Sequence, residues 1–274
     1  MEPVQTHTHT PFADVDAMPA EMITLLIAAL EAMSRHPEIR RVRQIAHDAL
    51  RPASGQRLLD AGCGGGDVAR GLAAEVGPDG CVVALDFSAS TIEAAGRRHD
   101  GSPVEYRLGD VCALDLPDDS VDGVWCERVL QHLDRPDTAV AEFARVTRPG
   151  GRICLIDTDW DSLAFDGLRE DLSTALLRFS RDQFRRGQLD MGRSLRRRLL
   201  GAGLTDLQAV PVTCFFGTPE SAAVVLPMVN PDLPADAGMW PDGLRESWFA
   251  EVDRAGAAGE FLAVLTLWVA AGTV

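Results

Sequence analysis

Two segments near the start of the chain repeat apolar residues at helical spacing. Over Pro19–Met33 these are Met22, Ile23, Leu26, Ile27 and Leu30; over Glu38–Leu50 they are Ile39, Val42, Ile45, Ala46 and Ala49. Each pattern predicts an amphipathic helix, and Pro52, Ser54 and Gly55 break the second. From Arg57 the rhythm changes. Short, nearly continuous apolar runs at Arg57–Ala61, Cys81–Asp86, Val104–Leu108, Val121–Cys126 and Arg152–Asp157 alternate with helical stretches at Asp67–Val76, Ala89–His99, Val129–Leu133 and Asp137–Thr147. Strands apolar on both faces and separated by helices predict a parallel sheet covered on both sides. Right-handed crossovers make that α/β sheet doubly wound.

Beyond Asp157 the pattern loosens. A helical region is expected over Gly167–Leu200, ending at Gly201-Ala-Gly203, then a strand over Leu207–Phe216 and a helix from Pro219. A proline-rich loop leads to a short helix near Leu244–Ala255 and a β-like run, Phe261–Ala271. No boundary isolates a second domain.

The most informative stretch is Arg57-Leu-Leu-Asp-Ala-Gly-Cys-Gly-Gly-Gly-Asp67, a strand entering a glycine turn that opens a helix. Gly62, Gly64 and Gly66 let the backbone turn tightly and a ligand approach it. A dinucleotide site places glycine at the sixth position of this motif, with pyrophosphate on the helix N-terminus. Here Asp67 holds that position and Asp60 precedes the turn, so two carboxylates would repel a pyrophosphate. A phosphate-free, cationic nucleoside suits the loop, and S-adenosylmethionine is one.

The next strand ends at Asp86, about twenty residues beyond Gly66, where an acid reaches ribose hydroxyls. The third ends at Leu108-Gly-Asp110-Val111 and the fourth at Cys126-Glu127. Asp60, Asp86, Asp110, Glu127 and Asp157 thus all occupy or follow strand carboxyl ends, the edge where open α/β sheets bind ligands. A solvated loop acid is the alternative for each.

Composition limits the partners. The 274 residues carry a net charge of −15 and are 46% apolar and 24% charged, a folded chain whose surface repels nucleic acid and anionic lipid. The six cysteines include no C-x-x-C pair and no zinc spacing, so no metal is expected. Met1–Asp16, polar and containing His7 and His9, reads as a disordered leader without a signal peptide. No apolar run is long enough to span a bilayer. A cytoplasmic protein, monomer or homodimer, is expected.

The stretch Arg57–Trp160 resembles class I S-adenosylmethionine-dependent methyltransferases of the ubiquinone/menaquinone type. The residues that carry the likeness are L-L-D-A-G-C-G-G-G, V-V-A-L-D-F-S, G-D-V-C-A-L-D-L-P-D-D-S-V-D-G-V, E-R-V-L-Q-H-L and R-V-T-R-P-G-G-R-I. The resemblance implies a Rossmann-like, seven-stranded, mostly parallel sheet with its last strand antiparallel, Leu207–Phe216 and Phe261–Ala271 being the final two strands. It implies a single domain over residues 17–274: a helical cap (17–52), a cofactor-binding core (56–160), a helical lid (161–203) and C-terminal strands with a cap (204–274). It further implies that Gly62, Cys63 and Gly64 meet the methionine moiety of S-adenosylmethionine and that Asp60 supports its amino group. Asp86 would hold the ribose, Phe87 would lie against the adenine, and Asp110 with Val111 would read the adenine edge. Gly65 departs from the family, which commonly has Thr or Ser there.

Methyl transfer needs alignment, exclusion of water and sometimes a proton acceptor. His132 is the candidate base; its alternative is a packing histidine. Asp157, Asp159 and Trp160 are expected to face the pocket. Arg193 belongs to a solvated face or turns inward to an acid; His36 and Arg40 are lid or surface residues. Apolar side chains such as Phe165, Leu172, Leu176, Met228, Trp240 and Trp248 hint at a greasy pocket for an aromatic or polyketide-like small-molecule acceptor, methylated at O, N or C, although most such residues read simply as core at helical spacing. A fold repurposed for cyclisation would keep the same ligand residues. A short-chain oxidoreductase would need Tyr-x-x-x-Lys, which the single Tyr106 does not supply.

Overall fold

A computed structural model of the protein describes residues 15–184 and 189–274. Seven strands form one sheet: β1 (Arg57–Ala61), β2 (Cys81–Asp86), β3 (Val104–Leu108), β4 (Val121–Glu127), β5 (Thr147–Asp166), β6 (Thr205–Phe216) and β7 (Leu262–Thr273). Their order is β3-β2-β1-β4-β5-β7-β6, with β7 antiparallel to both neighbours and the other six parallel to one another. The order reverses between β1 and β4, which opens a crevice beyond the carboxyl ends of these strands.

Alternate residues of the strands feed two cores. Leu58, Val82, Ala84, Trp125 and Ile156 face α2 (Pro37–Leu50) and α3 (Asp67–Val76). Leu59, Val83, Leu85, Val124 and Leu155 face α5 (Pro136–Val146) and α7 (Met191–Gly201). This two-residue alternation is why the strands read as continuous apolar runs. The expected doubly wound, mostly parallel sheet with a reversed last strand is the observed one.

Several elements differ in extent from the expectation. β5 runs to Asp166 because β7 supplies pairing partners to Arg152–Asp159 and again to Ala164–Asp166, with a β-irregularity at the polar stretch that contains Asp161 and Ser162. The region expected as one helix over Gly167–Leu200 contains α6 (Glu170–Phe184) and α7. The helical stretch expected over Val129–Leu133 is a single 3-10 turn, Leu130–His132.

At the N-terminal end, α1 (Ala20–Arg35) meets α2 at His36. His36 has extended backbone, and its Nδ1 accepts the Glu38 N–H at the start of α2 while its Nε2 lies 2.9 Å from Ser221 Oγ. It is a cap rather than a lid contact, whereas Arg40 is exposed. Most of the expected leader, His7 and His9 included, lies outside the described residues. Its end is ordered: Val15–Ala17 is a 3-10 turn, and Asp16 accepts hydrogen bonds from Ser88 Oγ (2.7 Å), Ala89 N (3.0 Å) and Ser90 N (3.0 Å). Asp16 therefore caps α4 (Ala89–Arg97) from outside. Among the described residues no helix is long and apolar enough to cross a membrane.

The C-terminal cap, α8 (Pro219–Ala223) and α9 (Arg245–Ala258), is fixed by aromatic anchors. Trp248 is fully buried, and its indole N–H donates to Met228 O at 2.8 Å. Trp248→Ala is expected to cost about 3–5 kcal/mol by opening a cavity, with Trp240 Nε1 (3.0 Å) left as the remaining donor to that carbonyl, measurable as a lower urea midpoint.

Candidate active site

The turn after β1 is closed by short-range geometry. Gly62 has φ 80°, and a Cβ there would sit 2.3 Å from Val129 Cγ2, so only glycine fits. The N–H groups of Gly62 and Cys63 donate back to Leu85 O (2.7 and 2.9 Å), which ties the turn to β2. Those two amides are therefore spent on the sheet, and what the turn offers a ligand there is its remaining backbone surface.

One cavity of about 250 Å³ opens along the carboxyl edge. Asp60, Gly62, Cys63, Gly64, Asp86, Phe87, Val111, Glu127 and His132 all line it. Of the expected ligand residues, Asp110 does not; its Oδ1 accepts the Cys112 N–H at 2.8 Å, closing a turn beneath Val111. Asp157 and Asp159 also turn away, against expectation. Strand alternation sends Thr158 and Trp160 to the cavity instead. Asp157 is wholly buried and accepts N–H bonds from Gln131 (3.1 Å) and Thr158 (2.9 Å). Asp159 pairs with Arg193, which stays exposed while it reaches that acid. Of the two readings for Phe165, Leu172, Leu176, Met228, Trp240 and Trp248, the core one holds: they pack in or against the core.

The wall that sequence reasoning missed comes from distant segments. Ile39 and Arg43 lie one turn apart on α2, Val225 and Pro227 follow α8, and Leu265 and Leu267 belong to β7. Arg43 clasps Glu127 through two bonds, Nε to Oε2 (2.8 Å) and Nη2 to Oε1 (3.1 Å). The helical spacing from Ile39 to Arg43 marks a shared face, but nothing local points Arg43 at an acid 84 residues away.

The electrostatics of the acids differ. Burial pushes Asp60 up to about 8, the negative Glu127 adds to the rise and Arg43 opposes it; its Oδ2 is buried with no hydrogen-bond partner. Burial raises Asp86 against the amides of Ser88 and Gly64, which donate to it at 3.0 and 2.9 Å. Burial would raise Glu127 as well, but Arg43 and Arg128 outweigh it and hold it below its ordinary value. Burial lifts Asp157 to about 7 despite its two amide donors.

Comparison with known proteins identifies the fold family. The family described as a methyltransferase domain matches residues 59–155. The uncharacterized 37.1 kDa protein in transposon TN4556 of Streptomyces fradiae is 36% identical over 245 residues, 89% of this chain and 70% of that protein. The chain belongs to the class I S-adenosylmethionine-dependent methyltransferases. A demethylmenaquinone methyltransferase of Renibacterium salmoninarum is 36% identical over 120 residues, 44% of this chain and 48% of that enzyme, so the match spans about half of that relative. The YcgJ protein of Bacillus subtilis superposes with a TM-score of 0.56 at 18% identity, covering 84% of this chain and 96% of that one, which supports the fold.

The methyltransferase cavity fits the cofactor of its family. A buried carboxylate oxygen without a partner calls for a cation, a ribose hydroxyl can donate to the remaining lone pairs of Asp86, and Phe87 and Val111 give apolar surface for a purine. The raised Asp60 also sets a pH signature. Folded Asp60 keeps a proton to about pH 8, whereas an unfolded aspartate releases it near its ordinary value. The stability of the ligand-free wild type, relative to Asp60→Asn, should therefore fall between about pH 4 and pH 8 and then level off. Urea titrations of both proteins across that interval check the sign.

Proposed function

We propose that this methyltransferase transfers the sulfonium methyl of S-adenosylmethionine to a small aromatic or polyketide-like acceptor, at O, N or C, in the cytoplasm. The observation that carries the reading is a cavity with two kinds of lining. Asp60, with its orphaned oxygen, and Asp86 line it from β1 and β2; Leu265 and Leu267 line it from β7, three strands across the sheet from β1, together with Trp160, Val225 and Pro227. A cationic nucleoside suits the acidic lining and a flat apolar acceptor the apolar one. The name of the demethylmenaquinone relative, an enzyme of a ring substrate, supports the acceptor class.

Bound donor would supply an electrophilic methyl on an already good leaving group, so the protein's work is placement. Asp60 takes the donor ammonium, Asp86 accepts from the ribose hydroxyls, and Phe87, Val111 and the Gly62–Gly64 backbone hold the remainder. Asp110 supports Val111 from behind, and Glu127 acts through its clasp with Arg43. His132, at the end of the 3-10 turn, takes a proton from the acceptor. Asp157 is a positioning residue: its bond to the Gln131 amide fixes the turn that carries His132, and Gln131 Oε1 accepts the Trp160 indole N–H at 2.8 Å.

Incubation with methyl-labelled donor and a set of phenols, amines and polyketides tests the reaction. Label in the product supports transfer, and a cyclised, unlabelled product would replace it with the repurposed fold. Asp86→Ala is expected to weaken S-adenosylhomocysteine binding at least tenfold by calorimetry, since two backbone donors and the ribose lose their acceptor. His132→Ala should lower kcat by about 10²–10⁴ while leaving that affinity unchanged.

A further inference from the structure

We propose that Asp60 and Arg128 form a clamp for the α-amino-acid end of the donor, with Arg128 taking its carboxylate. The proposal rests on the donor reading above and assigns a residue that reading left without a role.

Two acids and two arginines line the cavity close together in space: Asp60, Arg43, Glu127 and Arg128. Arg43 and Glu127 close on each other through their bidentate bonds. The other two are left incomplete. Asp60 Oδ2 and Arg128 Nε are both buried and without a hydrogen-bond partner. Arg128 Nη2 reaches only the shared Glu127 Oε1 at 3.3 Å, and Nη1 rests on the Met33 thioether, a weak acceptor. Burial accordingly lowers the Arg128 pKa in spite of Glu127. Both groups line the cavity at the carboxyl ends of adjacent, paired strands: Asp60 lies opposite Trp125, and Arg128 follows three residues further on, just beyond β4. Arg128 is also held at φ 55°, the left-handed region, while its N–H donates to Ile156 O at 2.7 Å. A non-glycine residue in that region is uncommon and points to a constrained, functional position.

Calorimetry with two ligands tests the clamp. S-adenosylhomocysteine carries the amino-acid end, and 5′-methylthioadenosine lacks it. Arg128→Asn suits the purpose, because asparagine tolerates the left-handed backbone. The variant should bind S-adenosylhomocysteine about 10–100-fold more weakly and 5′-methylthioadenosine within about threefold of wild type. Unchanged S-adenosylhomocysteine affinity, or an equal loss for both ligands, overturns the assignment. Unchanged affinity with a raised KM for carboxylated acceptors also overturns it and moves the carboxylate to the acceptor. A measurement on the unaltered protein stands beside these: S-adenosylhomocysteine methyl ester should bind about 10–100-fold more weakly than the free acid, and equal binding refutes the clamp. Wild type binding neither nucleoside brings down the donor reading itself.

Discussion

A carboxylate buried before it has a cation governs this active site. Asp60 sits near the end of β1, almost out of reach of water, with one oxygen unmatched. The fold tolerates it because Arg43 lies close enough to offset part of the cost, and because the carboxyl can hold a proton until a ligand arrives. The neighbouring acids are arranged around that debt. Glu127 holds Arg43 in place, and Asp86 ties the glycine turn to β2 through the Gly64 amide.

The carboxyl edge divides into two regions of different origin. The groups proposed to face the donor come from the first four strands in succession, each delivered by a strand end or the turn after it. Acceptor-facing groups come from α2, the segment after α8, and β7, brought together only by the closed sheet. Asp157 belongs to neither side. It lies behind the wall and braces the turn on which His132 and Gln131 stand.

This division explains what was legible in the sequence. Strands β1 and β2 match the apolar runs residue for residue, since a doubly covered strand leaves an unbroken hydrophobic signature; the edge strand β3, with no buried residue, matches its expected bounds without one. Asp60, Asp86, Phe87 and the glycines follow from the same local grammar. The Arg43–Glu127 clasp, the turn of Asp157 away from the cavity and the Leu265–Leu267 wall depend on pairings more than eighty residues apart or on strand parity. The parity error at Asp157 is instructive. The sequence places an acid at the strand end, but which face it meets is set by register, and the extension of β5 along β7 put Thr158 and Trp160 on the cavity side.

The reversed strand β7 has a consequence for biosynthesis. It wedges between β5 and β6, and through Leu265 and Leu267 it completes the acceptor wall. The ribosome delivers this strand after every donor-facing segment has emerged. A nascent chain thus assembles its nucleoside cradle first and gains a place for the second reactant only when β7 threads home, so methylation competence arrives in one late, long-range step.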